Sequence, residues 1–192
     1  MSVETVTLDH LPARYTVHLA LMRNVRNPAF LHSQLLARNS DFEYALVDAS
    51  VIVSRLHILS AVFKAVTSAA SDALKTPNVH SEIVTCLSVS NNIAEAYRRY
   101  GISPTTKDLL VVKVAIDGSP SSDQIADHLS RHVEGDLSPV TDENLAAVAD
   151  LPKVSKYYKL NGLNWLDGIK DHAAKHKEME ALILGGMALR GV

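Results

Sequence analysis

The chain has 192 residues, of which 47% are hydrophobic and 21% charged, and its formal net charge is -2. This length suits one domain with its own core, and the charge balance excludes a general attraction to polyanions, so nucleic-acid binding would need a local basic patch. One cysteine excludes an internal disulfide. We expect an intracellular protein, of cytosol or nucleus, because no signal-peptide pattern and no uncharged run of about eighteen apolar residues is present.

The first quarter of the chain predicts a strand and a short helix. Apolar residues alternate over 16–25, which is typical of a strand. Asn27-Pro28 breaks this strand and opens a short helix, since proline is well tolerated in a first helical turn. The segment 44–53 is short and apolar, and predicts either a strand or a buried connection.

A long helix is predicted from the N-cap Ser54 to about Leu74. Its apolar positions recur at helical spacing and indicate one buried stripe. The stripe comprises Leu56, Leu59, Val62, Phe63, Val66, Ala69, Ala70 and Ala73. The opposite, solvent-facing side is predicted to carry His57, Lys64, Ser68 and Ser71.

The middle of the chain predicts a strand over 81–87 and a helix over 92–100. Ile83, Thr85 and Leu87 alternate, which favours the strand. Asn92 with Glu95 three residues later resembles a capping box. Gly101 follows as a residue suited to end that helix.

The remaining segments complete an α/β pattern. A nearly continuous apolar run over 107–116 predicts a central strand buried on both faces. Helices are predicted over 121–131, after Thr141, over 152–158 and over 177–189, while 161–175 has no clear assignment. We therefore expect one domain over residues 1–192, with a small mixed β-sheet flanked by several helices.

No motif indicates catalysis. The sequence has no G-x-S-x-G, P-loop or G-x-G-x-x-G pattern, and Cys86 has apolar neighbours typical of a buried structural thiol. The pairs His128/His132 and His172/His176 have i, i+4 spacing, but neither has the adjacent glutamate of a zinc hydrolase. We predict no catalytic residue, no cofactor and no metal site.

Two regions favour binding to macromolecules. The start of the helix at Asn91 and Asn92 suits a phosphate or a base edge, with positive charge from Lys64 and Arg98, although self-capping of that helix is the alternative. The last helix is apolar over a wide arc, and its Ile183, Leu184, Met187 and Arg190 predict a partner-facing surface. The alternative is a helix packed on its own sheet.

The run from Ser81 to Ser103, S-E-I-V-T-C-L-S-V-S-N-N-I-A-E-A-Y-R-R-Y-G-I-S, resembles the signature of the kinase-binding small subunit of the KEOPS (EKC) complex, the TPRKB-type family. Lys64-Ala65-Val66 matches the K-A-V of the preceding helix, and the strand 109–116 follows at the expected distance. The resemblance covers about 51–116 well and the flanks loosely. After Leu160 the chain departs from the family in a Lys/His-rich segment.

This resemblance implies a non-catalytic α/β subunit that binds the small atypical kinase of the complex. It also implies a role in bringing tRNA, through its 3′ CCA end, to threonylcarbamoyladenosine modification beside the anticodon, with indirect contact to the transferase and, in fungi, a link to telomere maintenance. We expect the kinase to be bound by Ile183, Leu184, Met187 and Arg190, and RNA to be bound by Lys64, Asn91, Asn92 and Arg98. Two alternatives stay open: a small enzyme or ligand-binding domain built from distant residues, and a module that forms homo-oligomers through its last helix.

Overall fold

The computed structural model describes residues 3–190, which form one five-stranded sheet with helices on both faces. The strands are β1 (Glu4–Val6), β2 (Tyr15–Arg23), β3 (Ala45–Asp48), β4 (Leu109–Ile116) and β5 (Asp136–Ser138). The helices are α1 (Pro28–Leu36), α2 (Arg55–Ala70), α3 (Val79–Cys86), α4 (Ile93–Tyr100), α5 (Ser122–His132), α6 (Asp142–Ala146), α7 (Leu151–Tyr157), α8 (Asn164–Asp167) and α9 (His172–Ala188). Within this range, none of the helices combines the length and apolar character that crossing a membrane requires.

The sheet has the order β1-β2-β4-β3, with β5 beside β2. The predicted α/β class is confirmed, but the sheet is not mixed, because each pairing among the described strands is antiparallel. The apolar run of β4 predicted that both faces of this strand are covered by helices. It did not predict whether the neighbouring strands are parallel or antiparallel.

Alternating side chains of the sheet enter two separate cores. Val17, Leu19 and Leu21 of β2 face a core shared with α2, α3 and α9. Ala20 and Met22 face the other core, which is shared with α1 and α5. This two-residue period follows from the pleat of a strand, and the sequence predicted it for β2.

Helix α2 begins as predicted, since the Ser54 hydroxyl accepts a hydrogen bond from the His57 amide at 3.0 Å. Its buried face, however, differs from the predicted stripe: His57 is fully buried, whereas Leu56 and Phe63 are 53% and 39% exposed. Placing His57 towards solvent was therefore wrong. The helix has apolar residues over more of its surface than the rest of the domain covers. Their spacing in the sequence therefore could not predict which of them face inward.

Buried His57 joins three segments through hydrogen bonds. The Val53 amide donates to His57 Nδ1 at 3.3 Å, so the proton of the neutral ring lies on Nε2. Nε2 donates to the Tyr158 hydroxyl at 2.8 Å, and that hydroxyl donates to the Leu87 carbonyl oxygen at 2.6 Å. The polar groups of His57 are thus satisfied inside the core, which explains why a histidine is tolerated there.

The predicted strand over 81–87 was wrong, because Val79–Cys86 forms helix α3. Most of this helix is buried, so it has no polar face that would show helical periodicity in the sequence. The informative signal was Asn78, whose side chain accepts a hydrogen bond from the Ser81 amide at 2.8 Å as an N-cap. Buried Glu82 then fixes the preceding loop, accepting from the Thr76 hydroxyl at 2.7 Å.

Candidate functional site

The last helix is held to the rest of the domain by two cations at its C-terminal end. Lys64 Nζ donates to the carbonyl oxygens of Met187 and Arg190 at 3.0 and 3.2 Å. Arg190 donates to the Thr85 carbonyl oxygen and, at 3.3 Å, to Asn91 Oδ1. The last carbonyl oxygens of a helix have no hydrogen-bond donor within the helix, and positively charged side chains often donate to them. Lys64 and Arg190 therefore hold α9 to the rest of the domain.

Two of the four residues predicted to bind kinase lie inside the domain. Ile183 has no exposed surface and Met187 is only 3% exposed, and both belong to the core beneath α2. They form the side of α9 that packs inside the domain, where α2 is its main neighbour. A partner-facing role for Ile183 therefore does not fit this structure. Met187 is also buried, although it lines the depression between α2 and α9, and Leu184 and Arg190 are half-buried at the surface.

The opposite side of α9, together with α2, forms an apolar outer face. We define this outer face by Phe63, Leu184, Gly185, Ala188 and Leu189. A depression of about 460 Å³ runs between the two helices and is lined by Phe63, Leu184 and Ala188, among others. Leu189 is 71% exposed, and a Cβ atom built at Gly185 meets no atom within 4 Å. The outer face therefore combines three large apolar side chains with the small residues Gly185 and Ala188, and polar side chains of α2 complete the lining of the depression.

Gly186, the residue after Gly185, is closely packed inside the domain. A Cβ atom at Gly186 would lie 2.9 Å from Val89 Cγ1, in the loop that joins α3 to α4. This close approach of the loop explains why a glycine stands at position 186. Gly185, by contrast, is not required by packing within the domain.

Three of the four residues predicted to bind RNA lie near one another, because Lys64 and Asn91 both contact Arg190 and Asn92 follows Asn91, whereas Arg98 lies apart. Lys64 anchors α9, and Asn92 Oδ1 accepts from the Glu95 amide at 3.0 Å, which is the self-capping alternative. Asn91 contacts Arg190. Arg98 is separate from these residues: its side chain is 77% exposed and lines a different groove.

That groove, here called the His80 groove, has a volume of about 730 Å³. It lies between α1 with the turn after it on one side and α3 with α4 on the other. Its lining includes Leu35, Leu36, Phe42, Tyr44, Leu46, His80, Val84, Tyr97 and Ile102, with Arg38, Glu43 and Arg98 as charged residues. The volume is within the range of about 300–1,000 Å³ that is usual for small-ligand sites. The groove and the depression between α2 and α9 share no lining residue.

His80 is the most deeply buried polar side chain of the groove and is 5% exposed. The Val114 amide donates to its Nε2 atom at 3.0 Å, beyond the end of the β3–β4 pairing. Burial, followed by nearby Lys113, lowers the pKa of His80 to about 3. The ring is therefore neutral at physiological pH and is a weak base.

Other titratable side chains near the groove are also held in one protonation state. Burial raises the pKa of Tyr44 to about 12, and Tyr44 Oη lies 3.0 Å from His128 Nδ1. Burial likewise raises the pKa of Cys86 to about 11, in agreement with a structural thiol at the end of α3. Within residues 3–190, no group of three or more His, Cys, Asp or Glu side chains is placed to hold a metal ion.

Acid is expected to destabilise the fold through His57 and His80. Burial lowers the pKa of each to about 3 in the folded state, against an ordinary value of 6.5. Below pH 6.5 the unfolded chain therefore binds protons that the folded chain does not, and stability falls with decreasing pH. The free energy of unfolding should fall by about 2 kcal/mol between about pH 6.5 and 5.5 for the two groups together.

Urea unfolding measured by circular dichroism at these pH values checks this expectation. An exposed-histidine variant, His10→Gln, is the matched control and should show the same pH dependence as the wild type. A constant free energy of unfolding across this range would contradict the neutral, buried state of the two rings.

These surfaces define an α/β domain built for binding, with an apolar outer face and a separate groove. The family model described as "Kinase binding protein CGI-121" matches residues 22–191, and the chain belongs to this family. It is 61% identical over 197 residues to the EKC/KEOPS complex subunit CGI121 of Gibberella zeae, with both chains covered in full. It is 44% identical over 207 residues, again with full coverage, to the EKC/KEOPS complex subunit cgi121 of Neurospora crassa. The Schizosaccharomyces pombe protein of that name is 32% identical over 145 residues, which cover 76% of this chain and 82% of the relative.

The family resemblance seen in the sequence is thus confirmed. The sequence did not, however, predict most residues of the outer face and of the His80 groove. The Lys/His-rich segment forms α8 and the first turns of α9, where Asp171 caps the helix by accepting from the Ala173 amide at 3.0 Å. The outer face could have been recognised from the excess of apolar residues in α2. The His80 groove had no comparable signal, because residues 32–46 and 77–103 line it from two distant parts of the chain.

Proposed function

We propose that the protein is a non-catalytic subunit of an EKC/KEOPS complex and that it binds the small atypical kinase of that complex through the outer face. The observation that carries this proposal is the exposure of Phe63 and Leu189, with half-buried Leu184 and the open Gly185 beside them, in a chain of the CGI-121 family. An apolar face with small residues lets another element approach closely, and its burial contributes about 25 cal/mol per Å².

We further propose that the His80 groove receives the single-stranded 3′ CCA end of tRNA. Arg38 and Arg98 offer positive charge at the groove, against one carboxylate, Glu43. Half-buried Tyr97 adds an aromatic ring of the kind on which unpaired bases stack. Of the four residues first considered for RNA, Arg98 alone belongs to this groove, while Lys64, Asn91 and Asn92 have partners within the domain.

The proposed mechanism is positional. A subunit that holds both kinase and tRNA raises the effective concentration of the target adenosine at the transferase, which this subunit contacts only indirectly. Threonylcarbamoyladenosine formation would then depend on the subunit without any chemistry at the subunit itself. We propose that the subunit acts in the nucleus and the cytoplasm. A role in telomere maintenance would depend on the same complex.

The competing proposal is an enzyme whose site is the groove. General acid–base catalysis favours groups with pKa values near the working pH. The pKa of His80 is lowered to about 3, and that of Tyr44 is raised to about 12, so both are shifted away from this condition. These shifts support a binding role for the groove.

Reversing the charge of the groove arginines is expected to weaken RNA binding. Arg38→Glu and Arg98→Glu should each lower the affinity for a CCA-ended RNA oligonucleotide about 5- to 10-fold, because each removes a phosphate contact. Fluorescence anisotropy with the full chain measures this change. Arg14→Glu is the matched control, since exposed Arg14 pairs with Asp117 at 3.1 Å and is not part of the groove lining. Equal affinities for all four proteins would place the RNA elsewhere.

A further inference from the structure

The His80 groove contains one buried hydrogen-bond donor that the domain does not use. Within residues 3–190, three buried side-chain atoms have no hydrogen-bond partner: His80 Nδ1, Tyr100 Oη and His176 Nε2. Of these three residues, only His80 lines the groove. Native proteins rarely leave buried polar atoms unpaired, so this position calls for an explanation.

The hydrogen bond from Val114 determines which atom carries the proton. Because the Val114 amide donates to Nε2, that nitrogen must be unprotonated. A neutral imidazole then carries its single proton on Nδ1, which is a donor. Protonation of the whole ring is disfavoured by burial and by Lys113, which lowers the pKa further. The structure therefore presents a fixed N–H donor, not a group that can act as donor or acceptor.

The hydrogen bond that His80 makes within the domain uses only one of its two ring nitrogens. Capping the Val114 amide requires an acceptor at Nε2, and the donor at Nδ1 adds nothing to that contact. Nδ1 has almost no exposed surface in the free domain, so a ligand reaches it by displacing neighbouring side chains of the groove. An acceptor placed there would satisfy the donor and recover the hydrogen bond that the free protein lacks. Ligands without an acceptor at this position would leave it unpaired and bind less tightly.

We propose that the Nδ1–H group of His80 is a specificity determinant that recognises an acceptor atom on the base edge of a nucleotide seated in the groove. The acceptor would be an unprotonated ring nitrogen of the terminal adenine. This inference rests on the proposed RNA-binding function of the same groove. Arg38 and Arg98 bind the phosphates without distinguishing bases, whereas the donor of His80 distinguishes bases by their acceptors.

The test follows the Nδ1–H proton of His80 directly. The full chain, labelled with ¹⁵N, is titrated with a CCA-ended RNA oligonucleotide, while fluorescence anisotropy measures affinity in parallel. We expect the oligonucleotide to bind and the Nδ1–H resonance to move downfield as the donor gains a partner. Replacing the terminal adenosine by its 1-deaza, 3-deaza and 7-deaza analogues should identify one ring nitrogen whose loss weakens binding about tenfold.

The outcomes separate the inference from the function on which it rests. Binding with an unchanged Nδ1–H resonance, and equal affinities for all three analogues, would overturn the role of His80 and leave RNA binding in place. Absence of binding would overturn both. In His80→Leu, the analogue identified with the wild-type protein should bind as well as the natural oligonucleotide, and a retained tenfold difference would contradict the inference.

Discussion

A Gly185→Arg variant is expected to fold at least as well as the wild type and to lose about 100-fold in affinity for the kinase, which corresponds to about 2.7 kcal/mol. A side chain at position 185 meets no atom of the domain, and arginine has a higher helix propensity than glycine. On the outer face, however, a long charged side chain would prevent a partner from approaching α9 closely. Co-purification with the kinase and titration calorimetry measure the loss.

Gly185→Ala is the matched control for this variant. It should stabilise the protein by about 1 kcal/mol, because alanine favours the helix, and it should keep kinase binding within a few-fold. Gly186→Ala cannot serve this purpose, since a Cβ at that position would lie 2.9 Å from Val89 Cγ1. Wild-type affinity in Gly185→Arg would show that the kinase does not use the outer face.

An Ile183→Asp variant is expected to lose its cooperative fold. Ile183 is completely buried in the core that α9 shares with α2, and an aspartate there would be an unpaired buried charge. The free energy of unfolding should fall by about 4 kcal/mol or more, which urea titration followed by circular dichroism would show. Loss of kinase binding would follow from loss of structure.

Leu184→Asp, one residue further along, separates the two roles of α9. Leu184 is half-buried and lines the depression beside α2, so its variant should remain folded and bind kinase about tenfold more weakly. A folded Ile183→Asp protein that had lost kinase binding selectively would reverse this assignment. It would make Ile183 an interface residue, as the sequence alone suggested.

The elements that the sequence predicted well have strong local signals. Helix α5 begins with a complete capping box between Ser121 and Gln124, and β4 has a long apolar run. Helix α4 begins at the Asn92 cap as expected. Such signals depend on neighbours within a few residues, and for this reason they can be read without knowing the fold.

The functional residues were harder to predict, because their surroundings come from distant segments. Lys64 looks like a free surface cation in the sequence, but the C-terminal carbonyls of α9 lie beside it in the fold. Met187 looks like an interface residue, but the wide apolar arc of α9 faces inward at this position. His80 shows no functional signal in the sequence, since its role depends on Val114, which is 34 residues away.

Photo-crosslinking within the assembled complex tests the outer face most directly. A photoreactive amino acid incorporated in place of Ala188, which is exposed on the outer face, should form a covalent adduct with the kinase on irradiation. The same amino acid in place of Ile116, exposed at the end of β4, should form none. Adducts from Ile116 but not from Ala188 would contradict kinase docking on α2 and α9.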